Sequence, residues 1–195
     1  MTTSTSPAAK PLRADARRNR ETVVRAAREL FAEQGVDAPM DEVARRAGVG
    51  AGTLYRHFPD RGALVLAVVQ DDWQVVLDAE VRALEGDGDP VDDLDRWLTA
   101  LAFHQASMRG LVAAIVDCAT KGCRDDPLVR HCATTMEAAA RLLARAQATG
   151  RLRADLTAPE VLDLVNGVVL ASDRHSDQLS QVRRLLPIVL AGLRG

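Results

Sequence analysis

Aromatic residues are scarce in this chain: 3% of 195 residues, with one tyrosine and two tryptophans. An interior short of rings is built from Leu, Val and Ala, and Ala and Leu are the strongest helix formers. Strand signals are missing as well, since no alternating β-branched or aromatic run stands between turn residues, and no repeat is visible. No apolar run approaches the roughly 20 residues of a membrane span, so no membrane partner is expected. The opening MTTSTSPAAKPLRADARRN lacks the apolar stretch of a secretion signal. A cytoplasmic location is therefore expected, with residues 1–18 as a flexible arm.

Cysteine is limited to Cys118, Cys123 and Cys132, an odd number for which reduced thiols are the expectation. His131 beside Cys132 raises a metal or redox site, but the spacing matches no CxxC pattern, and neither metal nor cofactor is expected. Lysine occurs only at Lys10 and Lys121. Motifs of catalysis are also wanting: no GxSxG, Walker, dinucleotide-binding or zinc pattern occurs. His57 with Asp60 is the nearest pair to a dyad, and no Ser or Cys nucleophile lies near it in sequence. The expectation is that the chain is not an enzyme.

What is present is helical periodicity and an uneven charge. Residues 1–62 hold eleven Lys/Arg against eight Asp/Glu, and the remainder fourteen against nineteen. A basic end on an acidic remainder permits nucleic-acid contact at that end only. Val23, Ala27, Leu30 and Phe31 share one face of a helix over 20–34, with Asn19 as N-cap and Gly35 just past its end. PMDEVARRA repeats the pattern with Met40, Val43, Ala44 and Ala47, and Pro39 suits its first turn. Only Gly48-Val49-Gly50 separates it from a third helix at Ala51. So tight a connection throws two helices into a helix-turn-helix crossing. Further helices are expected over 60–84, 91–108, 110–119, 127–149, 158–172 and 176–193, the fifth of these starting from a Thr157-x-x-Glu160 capping box. The expected fold is all-α, with about nine helices.

At about 100° per residue, Ala51, Leu54 and Phe58 fall on one face of the third helix and should turn inward. Arg56 points away, Gly52 and Thr53 point outward, and Tyr55 and His57 lie on the flanks. Two readings of those flanks fit. The helix lies in a DNA major groove, with its outward tip at base edges and its flanks at phosphates. Alternatively, Tyr55 covers apolar surface and His57 caps the helix C-terminus.

RETVVRAARELFAEQG, MDEVARRAGVGAGTLYRHF and DRGAL, over about residues 19–65, resemble the DNA-binding region of TetR-family transcriptional regulators. The combination A-G-V-x-x-G-T-L-Y-x-H-F carries the resemblance; GRLRADLTAPEV and LLPIVLAGLR are similar to its C-terminal half. The resemblance implies a helix-turn-helix domain at 19–62 and an effector-binding and dimerisation domain at 63–195. It implies a homodimeric repressor that leaves a palindromic double-stranded DNA operator when a small-molecule effector binds. By motif, Thr53, Tyr55 and His57 would meet the DNA backbone and Arg61 a phosphate. Ala51, Gly52 and Arg56 would read bases, Arg56 as the candidate for guanine. Arg13, Arg17, Arg18 and Arg20 form a basic approach that such proteins can place in a minor groove, or else a solvated charge run. Two positions depart from the pattern: Gly50 stands where serine is usual, and Ala38-Pro39 where threonine opens the second helix.

If the resemblance holds, the helices at 91–149 would surround a cavity. Trp97, Leu101, Met108, Ile115 and Met136 would line it, with Gln105, Asp117 and Thr135 orienting a ligand. The same stripes also read as ordinary core. The paucity of aromatic and basic residues speaks against a large planar or strongly anionic ligand. The last two helices are the expected dimer interface, through Val161, Leu164, Val165 and Val168 on one and Val182, Leu186, Val189 and Leu193 on the other. The alternative is a DNA-binding regulator without a small-molecule ligand, controlled by a protein partner or by Cys oxidation.

Overall fold

Leu- and Ala-rich stripes at helical spacing, punctuated by glycine and by Asp or Thr caps, fold into ten α-helices among the described residues of the computed structural model. It describes residues 9–120 and 127–194, with side chains over 15–116 and 129–194. In chain order the helices are α1 Ala9–Gln34, α2 Met40–Ala47, α3 Ala51–His57, α4 Arg61–Asp72, α5 Gln74–Glu85, α6 Pro90–Ala106, α7 Leu111–Thr120, α8 Pro127–Gln147, α9 Ala158–Ser172 and α10 Gln178–Gly192. The β-type pairing among the described residues is a single antiparallel bridge, Leu152 to Arg194.

Two expectations about helix ends need correction. The first helix begins at Ala9, so residues 9–18 continue it, and Asn19 is an interior residue rather than an N-cap. The helix expected over 60–84 is two helices, which raises the total from nine to ten. They part at Trp73, whose N–H reaches Gln70 O at 3.4 Å and whose carbonyl accepts from Val76 and Leu77. The reason lies in what each half must bury. Leu64, Val65, Val68 and Val69 of α4 join the α1–α3 core, whereas Val76, Ala79 and Ala83 of α5 join the core around α6. One straight stripe does not serve both, and Trp73, packed against both cores, takes up the change of phase.

Several starts and stops are those the sequence signals. Gly35 (φ +91°) and Gly48 (φ +67°) end α1 and α2 in the left-handed region, where a Cβ would be strained. Pro39 sits one residue earlier than expected, as the N-cap of α2. Asp60 caps α4 by accepting from Ala63 N at 2.8 Å, and Asp89 caps α6 by accepting from Val91 N at 2.9 Å. Glu160 reaches back to the Thr157 N–H at 2.8 Å, the reciprocal half of the capping box.

Two hydrophobic cores result. One joins α1–α4 and includes Met108 and Leu111 from the α6–α7 turn; the other joins α5, α6 and α8–α10. The α1–α2 turn is fastened from both sides. Val36 N donates to Arg109 O at 2.9 Å, and the Arg61 guanidinium donates to the carbonyls of Val36 and Ala38. Arg109 in turn donates to His175 O at 3.2 Å, reaching the α9–α10 loop.

Candidate nucleic-acid interface and cavity

The turn between α2 and α3 is made by backbone alone. Gly48 N–H bonds back into α2, Val49 N donates to Ala44 O at 3.0 Å, and Gly50 O accepts from Thr53 and Leu54. Gly50 holds N-cap geometry (φ −70°, ψ 149°) without a side chain to cap α3. Leu54 and Phe58 seat α3 in the core at 0% and 2% exposure. Ala51, by contrast, is exposed, which corrects its expected inward placement. It opens a helix of only seven residues whose buried anchors are Leu54 and, one residue beyond its end, Phe58, so the first turn stands clear of the core.

Gly52, Tyr55 and Arg56 are exposed beside Ala51, with Thr53 and His57 half-buried at the margins. Nothing lies within 4 Å of where a Cβ on Gly52 would stand, so the backbone itself forms the outer surface there. Arg56 and Arg20 have no carboxylate partner among the described residues, and Arg20 lies over the Phe58 ring at 5.4 Å, beside the end of α3. Other bases nearby are already paired: Arg18 with Asp15, Arg17 with Glu21, Arg45 with Glu42, and Arg46 through two bonds with Glu33. Arg46 holds the Glu33 carboxyl below its ordinary range. Arg61 is half-buried and bonded to the α1–α2 turn, so its positive charge is fixed at the start of α4. The side chain of Arg13 lies outside the described residues.

A second feature is a cavity of about 410 Å³ between α4, α6, α7, α8 and α9. Of the residues expected to line it, Leu101, Gln105, Ile115, Thr135 and Met136 do so. Trp97 and Met108 do not: both are fully buried, Trp97 in the α5–α10 core and Met108 in the α1–α4 core. A long side chain on an apolar stripe fills whichever interior is nearest, and these two meet packed neighbours. The Asp117 side chain lies outside the described residues, as does that of Cys118, and Cys123 lies outside them altogether.

The cavity also takes residues that periodicity did not single out: Val69 and Trp73 from the end of α4, His104, His131, Leu162 and Asn166. The Trp73 ring meets His104 edge-on at 5.0 Å and His131 edge-on at 4.3 Å. His131 stands beside Cys132 in sequence, and Cys132 does line the cavity; the pairing of the two imidazoles has no signal in sequence, because they are 27 residues apart on different helices. Burial pushes the His104 imidazole down to about 4, against an opposing pull from Asp72 and with a further push from His131. His131 is lowered by burial too, so both rings are neutral near pH 7. Among the described residues no three His, Cys, Asp or Glu stand close enough to hold a metal ion, and no helix is long and apolar enough to cross a membrane.

The cavity connects physically to the α3 surface. Asp71 and Asp72, which precede Trp73, both pair with Arg28 of α1, the latter at 2.8 Å. The wall of the cavity and the helix that supports α3 therefore share one ion-pair cluster.

The expected dimer stripes need correction. Val161, Val165, Val168, Val182, Leu186 and Leu193 are buried in the protomer's own core. The outward face of the same two helices is a shallow groove that does include the expected Leu164, Val168 and Val189, together with Gly167, Ala171, Leu185 and Ile188; Leu164 and Ile188 are 45% and 67% exposed. Helical period marks both stripes as apolar and does not say which turns home.

Comparison with known proteins agrees with this architecture. Residues 23–68 match the model for bacterial regulatory proteins of the tetR family. A helix-turn-helix transcriptional regulator of Staphylococcus aureus is 40% identical over 67 residues, 34% of this chain and 36% of that protein, so the match spans about a third of the relative's length. A TetR regulator from Streptomyces coelicolor is 32% identical, with 90% of this chain and 98% of that one covered at a TM-score of 0.60. A TetR regulatory protein from Mycobacterium vanbaalenii is 36% identical, with 95% and 100% covered at a TM-score of 0.57. Residues 89–195, more than half of the chain, match the model described as the C-terminal domain of SbtR-like transcriptional regulators, and the chain belongs to the TetR family.

Proposed function

We propose that the chain is a homodimeric repressor that binds a palindromic DNA operator through α3 and releases it when a small molecule occupies the cavity behind α4. The observation that carries the reading is the position of Trp73. It forms cavity wall and ends α4, one residue beyond the aspartates paired with Arg28 of α1. An occupant that prefers one position of Trp73 thereby biases α4 and the α1–α3 unit set upon it. A cavity of about 410 Å³ supports small-molecule control over control by a partner protein acting on a filled interior.

On this reading residues 19–62 and 63–195 serve as DNA-binding and effector-plus-dimerisation parts. Arg56, exposed and without a carboxylate partner, contacts a base, with Ala51 and Gly52 closing on the groove floor. Thr53, Tyr55 and His57 meet phosphates on either side. Arg20 adds charge beside Phe58, while Arg18 first has to release Asp15. Two such units joined through the Leu164–Ile188 groove would present paired recognition helices to two half-sites.

Footprinting of the gene's own promoter region, followed by titration with variants, tests the interface. Tyr55→Phe and His57→Ala should weaken binding across all sequences alike, and Arg56→Ala should relax preference at one position of each half-site. Unchanged affinity and preference in all three variants would remove α3 from the interface.

A further inference from the structure

Four buried polar atoms without a hydrogen-bond partner among the described residues converge on the cavity. They are His104 Nε2 and Gln105 Oε1 of α6, His131 Nε2 of α8 and Asn166 Oδ1 of α9. A polar group buried without a partner destabilises the folded chain. Such groups are uncommon in a folded chain, and four on one apolar cavity point to an occupant that pairs with them. His104 is itself 8% exposed, so its open nitrogen faces the interior and not solvent.

The lining also says what the occupant is not. Among the described residues no Lys or Arg lines the cavity, and the two imidazoles are neutral. A carboxylate or phosphate would be buried there without a counter-charge, which strongly disfavours its entry. Among the described lining residues the one carboxylate, Asp163, is exposed, and Asp72 behind His104 is held by Arg28, so neither awaits a buried cation.

Resting on the effector-pocket reading above, we propose that the effector is an uncharged, largely apolar molecule bearing hydroxyl groups at two separated positions. One hydroxyl pairs with Gln105 and with the imidazoles of His104 and His131, which flank the same Trp73 ring, the other with Asn166 on the facing α9. Hydroxyls suit this set because each donates and accepts. It donates to an amide oxygen or accepts from the amide NH₂, and it serves either tautomer of a neutral imidazole. The Trp73 ring, edge-on to both imidazoles, holds them in place before the ligand arrives.

The test is calorimetric titration of the full chain with three molecules of one skeleton: a bicyclohexyl diol with hydroxyls at opposite ends, its dimethyl ether, and the matching dicarboxylate. Expected are diol binding roughly tenfold tighter than the ether and no heat from the dicarboxylate. Asn166→Leu, close to isosteric, and Gln105→Leu should each cut the diol-to-ether ratio to about threefold while ether binding persists. A dicarboxylate that binds as well as the diol overturns the inference, as does an ether equal to the diol or a ratio indifferent to both leucine variants. Nile red, uncharged and apolar, separates this from failure of the pocket itself, with Trp73 emission compared between wild type and Trp73→Phe. If Nile red enters and quenches Trp73 while hydroxyls bring no advantage, the ligand class alone is wrong. If neither Nile red nor the diol perturbs Trp73, the effector pocket falls with it.

Discussion

Two single residues set the properties of the two candidate sites. Gly50 occupies an N-cap position with the right backbone angles and open space where a Cβ would go. Gly50→Ser should therefore stabilise the protein by a few tenths of a kcal/mol. It should also tighten operator binding with little change in salt slope, because a hydroxyl adds a phosphate contact without adding charge. Thermal melts and salt-dependent titrations check both; a weaker complex would mean that the turn approaches DNA too closely for a side chain. His104 gives the second prediction. Its folded value of about 4 lies below the ordinary 6.5, so between those pH values the unfolded chain binds a proton that the folded chain refuses. The associated stability is complete above pH 6.5 and is lost as pH falls toward 4, by up to about 3 kcal/mol. His104→Gln should remove that share of the pH dependence in urea midpoints, leaving the carboxylates and His131. Parallel curves for wild type and variant would contradict a buried neutral imidazole.

At the scale of helices, the joint between α4 and α5 matters most. Arg28 spans from α1 to Asp71 and Asp72 at the end of α4, in a partly solvent-accessible setting. Arg28→Ala should cost no more than about 1 kcal/mol at low salt, and less at high salt. Urea midpoints at two ionic strengths decide it, since a loss indifferent to salt would assign the effect to the arginine stem rather than its charge. This joint also shows where sequence reading stopped. Turn residues and caps made the α1–α2–α3 unit legible, because Gly35, Gly48, Asp60 and the Leu54–Phe58 face are local signals. Trp73 gave no such signal: nothing between Asp60 and Glu85 is a helix breaker except an early glycine, and the interruption arises from two cores claiming different faces. For the same reason the cavity was half legible. Leu101 and Gln105 follow from the α6 stripe, but the meeting of His104, His131 and Asn166 depends on how three helices assemble. Trp97 was placed on the cavity wall because period alone does not separate a wall from a packed interior.

For the molecule as a whole, the proposed dimer rests on the outward groove of α9 and α10. Ile188→Glu and Leu164→Glu place charge on residues 67% and 45% exposed, so the protomer should keep its helical circular dichroism. Sedimentation should shift from dimer to monomer, and affinity for a two-half-site operator should fall toward that for one half-site. A dimer mass retained in both variants would move the interface elsewhere. Val165→Glu, fully buried, should instead unfold the protomer, which distinguishes the two faces of α9. Finally, Met108 and Leu111 lie far along the chain from α1–α4 and yet belong to their core, with Arg109 O bonded to Val36 between them. Modularity in this molecule is therefore not contiguous in sequence. A chimera that grafts residues 9–72 onto another regulator's effector part would leave behind two buried side chains and a backbone bond. Such a graft should succeed only where the recipient's own α6–α7 turn supplies a large apolar pair in the same place, and specificity swaps are better planned as substitutions on α3 than as exchanges of the whole N-terminal unit.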